Sequence, residues 1–223
     1  MLSTDDVRQQ QYWLRDHGFR RHDDPTVQLF VQQRIEHMRK WLDLSACARV
    51  LDVGCGSGAG TLAIGACVPK VWGADRSVHM LEAHPLYHSG TLAAAEILSL
   101  PFRDSSFDLV YAWEVLHHVG EPERALAEMA RVSRKYVLIA EPNRANPAQF
   151  AFALVDREHR WVLRAGLQGM VQQFEHVGLR VVARARGGYI FPNKTPAWLA
   201  RALAYLPYGS PFGISNWVMG VKG

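Results

Sequence analysis

The chain is poor in the residues that would staple or anchor it. Its three cysteines, Cys47, Cys55 and Cys67, form no C-x-x-C pair. Their spacing fits neither a disulfide framework nor a zinc site, so no metal is expected and a reducing, cytoplasmic setting is. Long apolar runs are missing too. Stretches such as Phe150–Val155 and Tyr136–Ala140 fall far short of the ~20 residues that span a bilayer, so no membrane span is expected. The opening MLSTDDVRQQ puts two acids where a secretory leader needs a basic start and an apolar run. A surplus of one charge is likewise absent: Lys+Arg 25 against Asp+Glu 21 leaves +4. The basic knots are short, at Arg20–Arg21, Arg131–Arg134–Lys135 and Arg180–Arg184–Arg186. Proteins that track phosphates cluster their charge on one face, so nucleic acid is not the favoured partner.

What is present suits one folded α/β domain. With 223 residues, 48% hydrophobic and 21% charged, the chain can bury roughly 70% of its unfolded surface. Residues 26–44 place Val27, Phe30, Val31, Ile35, Met38, Leu42 and Leu44 near one face at helical spacing, which predicts an amphipathic helix ahead of the main fold. Beyond it short apolar runs, Arg49–Val53, Lys70–Ala74, Thr91–Ala95, Phe107–Trp113 and Tyr136–Glu141, alternate with the helical stretches Ala59–Cys67, Ser77–Ala83 and Glu121–Ser133. Strands alternating with helices predict a parallel sheet covered on both faces.

The last third changes character. Trp161–Val177 reads as a helix stopped by Gly178, Leu179–Arg184 as a strand, and Asn216–Lys222 as another. Between those strands, residues 188–214 carry Pro192, Pro196, Pro207 and Pro211 and six aromatics, Tyr189, Phe191, Trp198, Tyr205, Tyr208 and Phe212. So long a connection is usually functional or disordered, and its aromatics argue against disorder. The expectation is a substrate lid, with core packing or a dimer contact as the plainer alternative. The chain then divides into a helical extension (1–45), a cofactor-binding core (46–187), the lid (188–214) and a last strand (215–223).

The most informative stretch is Val50-Leu-Asp-Val-Gly-Cys-Gly-Ser-Gly-Ala-Gly-Thr-Leu62, a strand, a glycine-rich turn and a helix start. Gly54, Gly56 and Gly58 leave no Cβ between backbone and ligand. Gly54, Gly56 and Ala59 satisfy the dinucleotide fingerprint, and Asp75 falls 21 residues on, where a ribose-binding acid belongs. Asp52 argues against a dinucleotide. A carboxylate facing a pyrophosphate at 4 Å would cost roughly 4 kcal/mol at an effective dielectric near 20. The same carboxylate suits a ligand that is cationic there, as S-adenosylmethionine is.

Val50–Gly58 resembles the first motif of the class I S-adenosylmethionine-dependent methyltransferases, especially the small type 11 group. The resemblance continues through Gly73-Ala-Asp-Arg-Ser-Val-His-Met-Leu81, Glu96–Val110 and Val115-Leu-His-His-Val119. It implies a Rossmann-like, seven-stranded, mostly parallel sheet with a reversed last strand, helices on both faces, and S-adenosylmethionine as cofactor with S-adenosylhomocysteine as product. It assigns Asp75 to both ribose hydroxyls, Arg76 and Met80 to the adenine face, and Glu96 to the adenine amino group. Glu96 stands where the family usually has Asp, one methylene shorter. The backbone of Ile97 would complete adenine recognition, and carbonyls of Gly54 and Ala112 would meet the methionine ammonium.

On the acceptor side, the fourth strand ends at Tyr111-Ala-Trp-Glu114 and the fifth at Glu141-Pro-Asn-Arg144. Trp113 and Glu114 are the side chains expected to reach the transferred methyl, with core packing and a salt bridge as their plainer alternatives. Asn143, Arg144, Tyr189 and Trp198 are expected on the acceptor. His117 and His118 are candidate bases beside Glu114, although a structural hydrogen bond is the stronger reading of the pair. The expected activity is methyl transfer to an O, N or C nucleophile of a small, partly apolar molecule, by a monomer or homodimer. An RNA-modifying methyltransferase and a non-catalytic protein that binds the cofactor are the alternatives.

Overall fold

The computed structural model of the chain describes residues 20–155, 163 and 166–223. Its elements are α1 (Pro25–Arg39), β1 (Val50–Val53), α2 (Ala59–Gly65), β2 (Val71–Asp75), α3 (Val78–Glu82), β3 (Leu92–Ala94), β4 (Phe107–Trp113), α4 (Pro122–Val132), β5 (Ser133–Pro142), α5 (Pro147–Val155), α6 (Leu167–His176), β6 (Leu179–Gly187), α7 (Ala197–Ala204) and β7 (Ser215–Lys222). The seven strands lie in the order 3-2-1-4-5-7-6. β1 to β5 pair in parallel, and β7 runs antiparallel to both β5 and β6. This is the expected sheet with its reversed last strand.

The topology creates a crevice. From β1 the chain steps outward to β2 and β3, then returns to set β4 on the other side of β1. Such a reversal leaves an opening beyond the carboxyl ends of the two central strands.

Burial on both faces explains the unbroken apolar runs. In β4, Leu109 and Tyr111 join one buried cluster while Val110 and Ala112 join the other. β5 divides the same way, with Leu138 and Ala140 opposite Val137 and Ile139. Side chains alternate between sheet faces along a strand, so each face needs its own helical cover. α4 and α6 cover one face through Leu126, Met129, Met170 and Phe174. α1 and α2 cover the other through Val27, Val31, Ile35, Met38 and Ile64. α1 starts where Asp24 accepts the Thr26 amide at 2.7 Å with Pro25 in the first turn, both favoured choices there. It ends at Arg39, earlier than expected, yet Leu42 and Leu44 still reach the same core.

Other boundaries also differ from expectation, and β6 runs on to Gly187, past Arg184. β5 begins at Ser133, directly after α4. α5 was not anticipated, because Asn146-Pro147 reads as a turn; here Asn146 Oδ1 accepts the Gln149 amide at 3.0 Å and starts a helix. The helix expected over 161–177 is described from Leu167, and 161–162 and 164–165 lie outside the described residues, as do residues 1–19 of the extension.

The 188–214 connector contains α7 and packs against α1. Gln33 Nε2 donates to the Ala204 carbonyl at 3.4 Å, and the Arg20 guanidinium donates to the Thr195 carbonyl at 2.7 Å. At the other end Asn143 Nδ2 donates to the Pro211 and Gly213 carbonyls, at 3.1 and 2.8 Å. No helix among the described residues is long and apolar enough to cross a membrane.

Candidate functional site

A cavity of about 370 Å³ opens beyond the carboxyl ends of β1 to β4. Gly54 and Gly56 form its floor after β1, and Asp75, Arg76 and Met80 its wall after β2. Glu96, Ile97 and Leu98 follow β3, while Glu114, Val115 and the turn from His118 to Glu121 follow β4. Seven of the expected cofactor residues therefore meet here: Gly54, Gly56, Asp75, Arg76, Met80, Glu96 and Ile97. Arg131 braces the third wall, donating to Glu128, Asp104 and the carbonyls of Phe102 and Leu100, while Glu128 accepts the Leu100 amide at 2.8 Å.

Asp75 knits two of these walls together. Its carboxylate accepts the Gly56 amide at 2.8 Å and the Ser77 amide at 2.8 Å. Burial pushes its pKa up, and those two amides only partly counter the shift. A carboxylate has about four acceptor positions, so Asp75 keeps capacity for two further donors on the cavity side.

The turn after β4 is built around a second carboxylate. Glu141, buried at the end of β5, accepts the amides of Val115, Leu116 and His117 and the Nδ1 of His117 at 2.7 Å. Burial alone would raise the Glu141 pKa, but the His117 charge and these hydrogen bonds outweigh it and hold it low. Burial would likewise depress His117, and Glu141 reverses that and raises it. His117 is thus occupied in holding the turn, the plainer of its two readings. The His118 ring lies tilted against it, at 3.9 Å between centroids and 43° between planes, and His118 lines the cavity.

Glu114 precedes that turn with φ +59, an uncommon value for a residue other than glycine. Its carboxylate pairs with Nη2 of Arg34 and accepts the Ser215 hydroxyl at 3.0 Å. Arg34 is 0% exposed on α1, donates also to Ser215 at 2.7 Å, and lies against the rings of Phe30, Trp113 and Trp217. Its Nε and Nη1 have no hydrogen-bond partner among the described residues. Arg34 and Ser215 escaped the sequence analysis. The signal available was a charged residue at a core position of an amphipathic helix, between Val31 and Met38.

Several expected site residues lie elsewhere. Asp52 is buried on the α2 side of the sheet, where it accepts the Thr61 hydroxyl at 2.7 Å; burial raises its pKa to about 7. It shares a face with Val50 and does not front the cavity, so the expected direct repulsion of a pyrophosphate has no geometric basis. Trp113 follows Leu109 and Tyr111 onto that same face and packs beside Gly60 and Arg34. Ala112 is fully buried between Val53 and Ile139 in the ladder. At Gly58 a Cβ would lie 2.7 Å from the His84 ring, so this glycine serves packing. Asn143 is buried and holds the connector. Arg144 donates to the Leu163 carbonyl at 3.1 Å. Neither Tyr189 nor Trp198 lines the cavity, and Trp198 is exposed on α7.

The residues present fit S-adenosylmethionine. The cavity has the size of a small-molecule site. It offers a carboxylate with acceptor capacity at the end of β2, a second carboxylate, Glu96, after the neighbouring strand β3, and apolar surface from Met80 and Ile97. Arg76 also leaves Nη2 buried without a hydrogen-bond partner among the described residues. Among the described residues, Arg76 is the one lysine or arginine that lines the cavity. Among the described residues no group of three or more His, Cys, Asp or Glu converges as a metal site would require.

Comparison with known proteins agrees with this geometry. Residues 51–139 match the methyltransferase domain family. An O-methyltransferase from Aspergillus nomiae is 34% identical over 124 residues, covering 50% of this chain and 55% of that protein. A demethylmenaquinone methyltransferase from Corynebacterium urealyticum is 32% identical over 136 residues, covering 60% and 59%. The chain spans about half the length of the curated relatives it matches. The crystal structure of magnesium protoporphyrin IX methyltransferase from Synechocystis with bound S-adenosylmethionine superposes with a TM-score of 0.61 at 14% identity, covering 100% of this chain and 99% of that one.

Proposed function

We propose that the chain, whose residues 51–139 match the methyltransferase domain family, is a methyltransferase that moves a methyl group from S-adenosylmethionine to a nucleophile of a small, partly apolar molecule. The observation that carries this reading is the junction of Asp75 and Glu114 on one cavity. Both line that cavity; in this reading Asp75 serves the cofactor and Glu114 the acceptor.

When bound, S-adenosylmethionine supplies a methyl group already activated on a sulfonium. The protein therefore needs to bind, orient and exclude water. Asp75 would accept the ribose hydroxyls, Glu96 the adenine amino group, and Arg76, Met80 and Ile97 would enclose the ring. Orientation of two reactants is by itself worth roughly 7–11 kcal/mol. Glu114 supplies a carboxylate on the acceptor side, held by Arg34 and Ser215. It can take a hydrogen bond, or a proton, from an acceptor hydroxyl or ammonium. His118 adds a polar edge beside it. The two relatives support a small-molecule acceptor, one being named for transfer to oxygen and the other for a quinone precursor.

The test is incubation of the protein and cofactor with a metabolite extract. A mass gain of one methyl on a discrete small molecule, with formation of S-adenosylhomocysteine, is expected. Cofactor binding without any methylated product, from extract or from RNA, would refute catalysis.

A further inference from the structure

We infer that the outer surface formed by α7, the end of the 188–214 connector and α5 docks on an anionic lipid bilayer. α7 buries Ala200 against the domain and turns Trp198 and Tyr205 outward, 71% and 92% exposed. Arg201, also exposed, lies between them at helical spacing, so aromatic, cation and aromatic share one outer face. Leu206 and Phe212 continue the exposed apolar surface past the helix. α5 has no charged residue and exposes Leu154 and Val155. It is tied to the connector where Asn146 Nδ2 donates to the Phe212 carbonyl at 2.6 Å and Gln149 Nε2 to the Ile214 carbonyl at 3.2 Å.

Charge selects the partner. Residues 176–223 contain no Asp or Glu, whereas Arg180, Arg184, Arg186, Lys194, Arg201 and Lys222 are basic. A second copy of the chain would set Arg201 and Lys194 against like charges, with no acid in residues 176–223 to answer them. RNA would meet the cations and aromatics but leave the aliphatic Leu154, Val155 and Leu206 without a stacking partner. A bilayer surface satisfies all three groups. Trp and Tyr settle at the headgroup level, aliphatic side chains enter the acyl boundary, and Lys or Arg near anionic headgroups adds about 1 kcal/mol each, some fivefold in binding.

Position also fits. β6 runs parallel to β1–β5, and Gly187, Ser215 and Pro142 are paired across the end of the sheet. The connector therefore leaves from the same rim on which the cavity opens. Docking is independent of whether the chain transfers methyl groups.

The purified full chain is to be sedimented with vesicles of phosphatidylcholine alone and of phosphatidylcholine mixed with phosphatidylglycerol. Binding to the mixed vesicles, weakened by salt, is expected. The pair Lys194→Glu/Arg201→Glu should lower partition at least about 25-fold and the pair Tyr205→Ser/Phe212→Ser roughly tenfold, with melting temperature and cofactor affinity as in the unaltered chain. Absence of binding to either vesicle, undiminished binding by both variants, preference for RNA over vesicles, or a dimer that the Tyr205→Ser/Phe212→Ser variant dissolves would each overturn the inference. A chain that binds vesicles but yields no methylated product leaves docking intact and sinks only the proposed activity.

Discussion

Nη2 of Arg34 is shared between Glu114 and Ser215, joining α1, the end of β4 and the start of β7 at one wall of the cavity. A helix outside the glycine-rich motif thus sets the pose of the Glu114 carboxylate. Glu114 needs this hold, because its left-handed backbone costs on the order of 1–3 kcal/mol unless its surroundings fix it.

Glu114→Ala leaves the Arg34 charge buried without its partner. Breaking a buried pair costs about 3–5 kcal/mol; with Glu114 a third exposed, the lower end, about 2–3 kcal/mol, is expected. Glu114→Gln keeps an acceptor for Arg34 and should lose turnover at least tenfold with cofactor affinity nearly unchanged. The double variant Arg34→Met/Glu114→Gln should regain the stability but not the turnover. Thermal melts and calorimetry beside steady-state kinetics decide this. Parallel loss of turnover and cofactor affinity in Glu114→Gln would sink the acceptor-side role.

Asp75→Ala should weaken S-adenosylmethionine binding about a hundredfold, from loss of two charge-assisted bonds worth roughly 1.5–3 kcal/mol each. The variant also frees the Gly56 and Ser77 amides, so a fall in melting temperature is expected as well. Asp75→Asn retains an acceptor and should lie between the two. Calorimetry showing equal affinity in all three proteins would remove Asp75 from the site.

The strands are legible in the sequence because they are buried on both faces, which leaves runs such as Leu109–Trp113 free of charge. So are Asp75 and the residues after β3, whose roles depend on strand ends that the runs already mark. What stays hidden depends on side-chain direction or distant contact. Asp52 and Trp113 sit at strand ends, but the two-residue alternation sends both to the α2 face. Arg34 and Glu114 are 80 residues apart, beyond any local pattern. α5 is lost because an Asn-Pro pair opens a turn or a helix equally well, and only the later Gln149 amide decides.

Asp52 should make stability depend on pH. Its pKa is about 7 in the fold against 3.8 for an exposed aspartate, because burial disfavours the charge, so the folded state holds the proton more tightly. Stability from this group is therefore fully present below about pH 4 and is lost as pH rises through 7. Asp52→Asn removes the titration while keeping an acceptor for Thr61. Relative to that variant, the unaltered chain should lose up to about 4 kcal/mol between pH 4 and 8. The His117–Glu141 pair is common to both proteins, so the difference between their denaturation curves isolates Asp52. A flat difference across that range contradicts the assignment.

The glycines of the motif should separate binding from folding. At Gly56, φ is +51, inside the left-handed region that alanine enters at a cost of about 1 kcal/mol, and an added Cβ would meet only the Met80 methyl at 3.4 Å. Gly56 lines the cavity, so the new methyl narrows the ligand's approach to the backbone. At Gly58, φ is +98, also left-handed, and the Cβ would enter the His84 ring at 2.7 Å. His84 is buried and accepts the Leu86 amide through Nδ1 at 3.0 Å, so it has little room to retreat. Gly56→Ala should therefore fold with a melting temperature near that of the unaltered chain and bind S-adenosylmethionine at least tenfold more weakly. Gly58→Ala should lose about 2–4 kcal/mol of stability, as strain and overpacking add. In the fraction that stays folded, its cofactor affinity should be less affected than in Gly56→Ala. Urea titration and calorimetry on the two variants read these effects separately. If Gly56→Ala is the less stable protein and Gly58→Ala the weaker binder, the ligand lies against the second half of the turn and the cavity floor described here is not its seat.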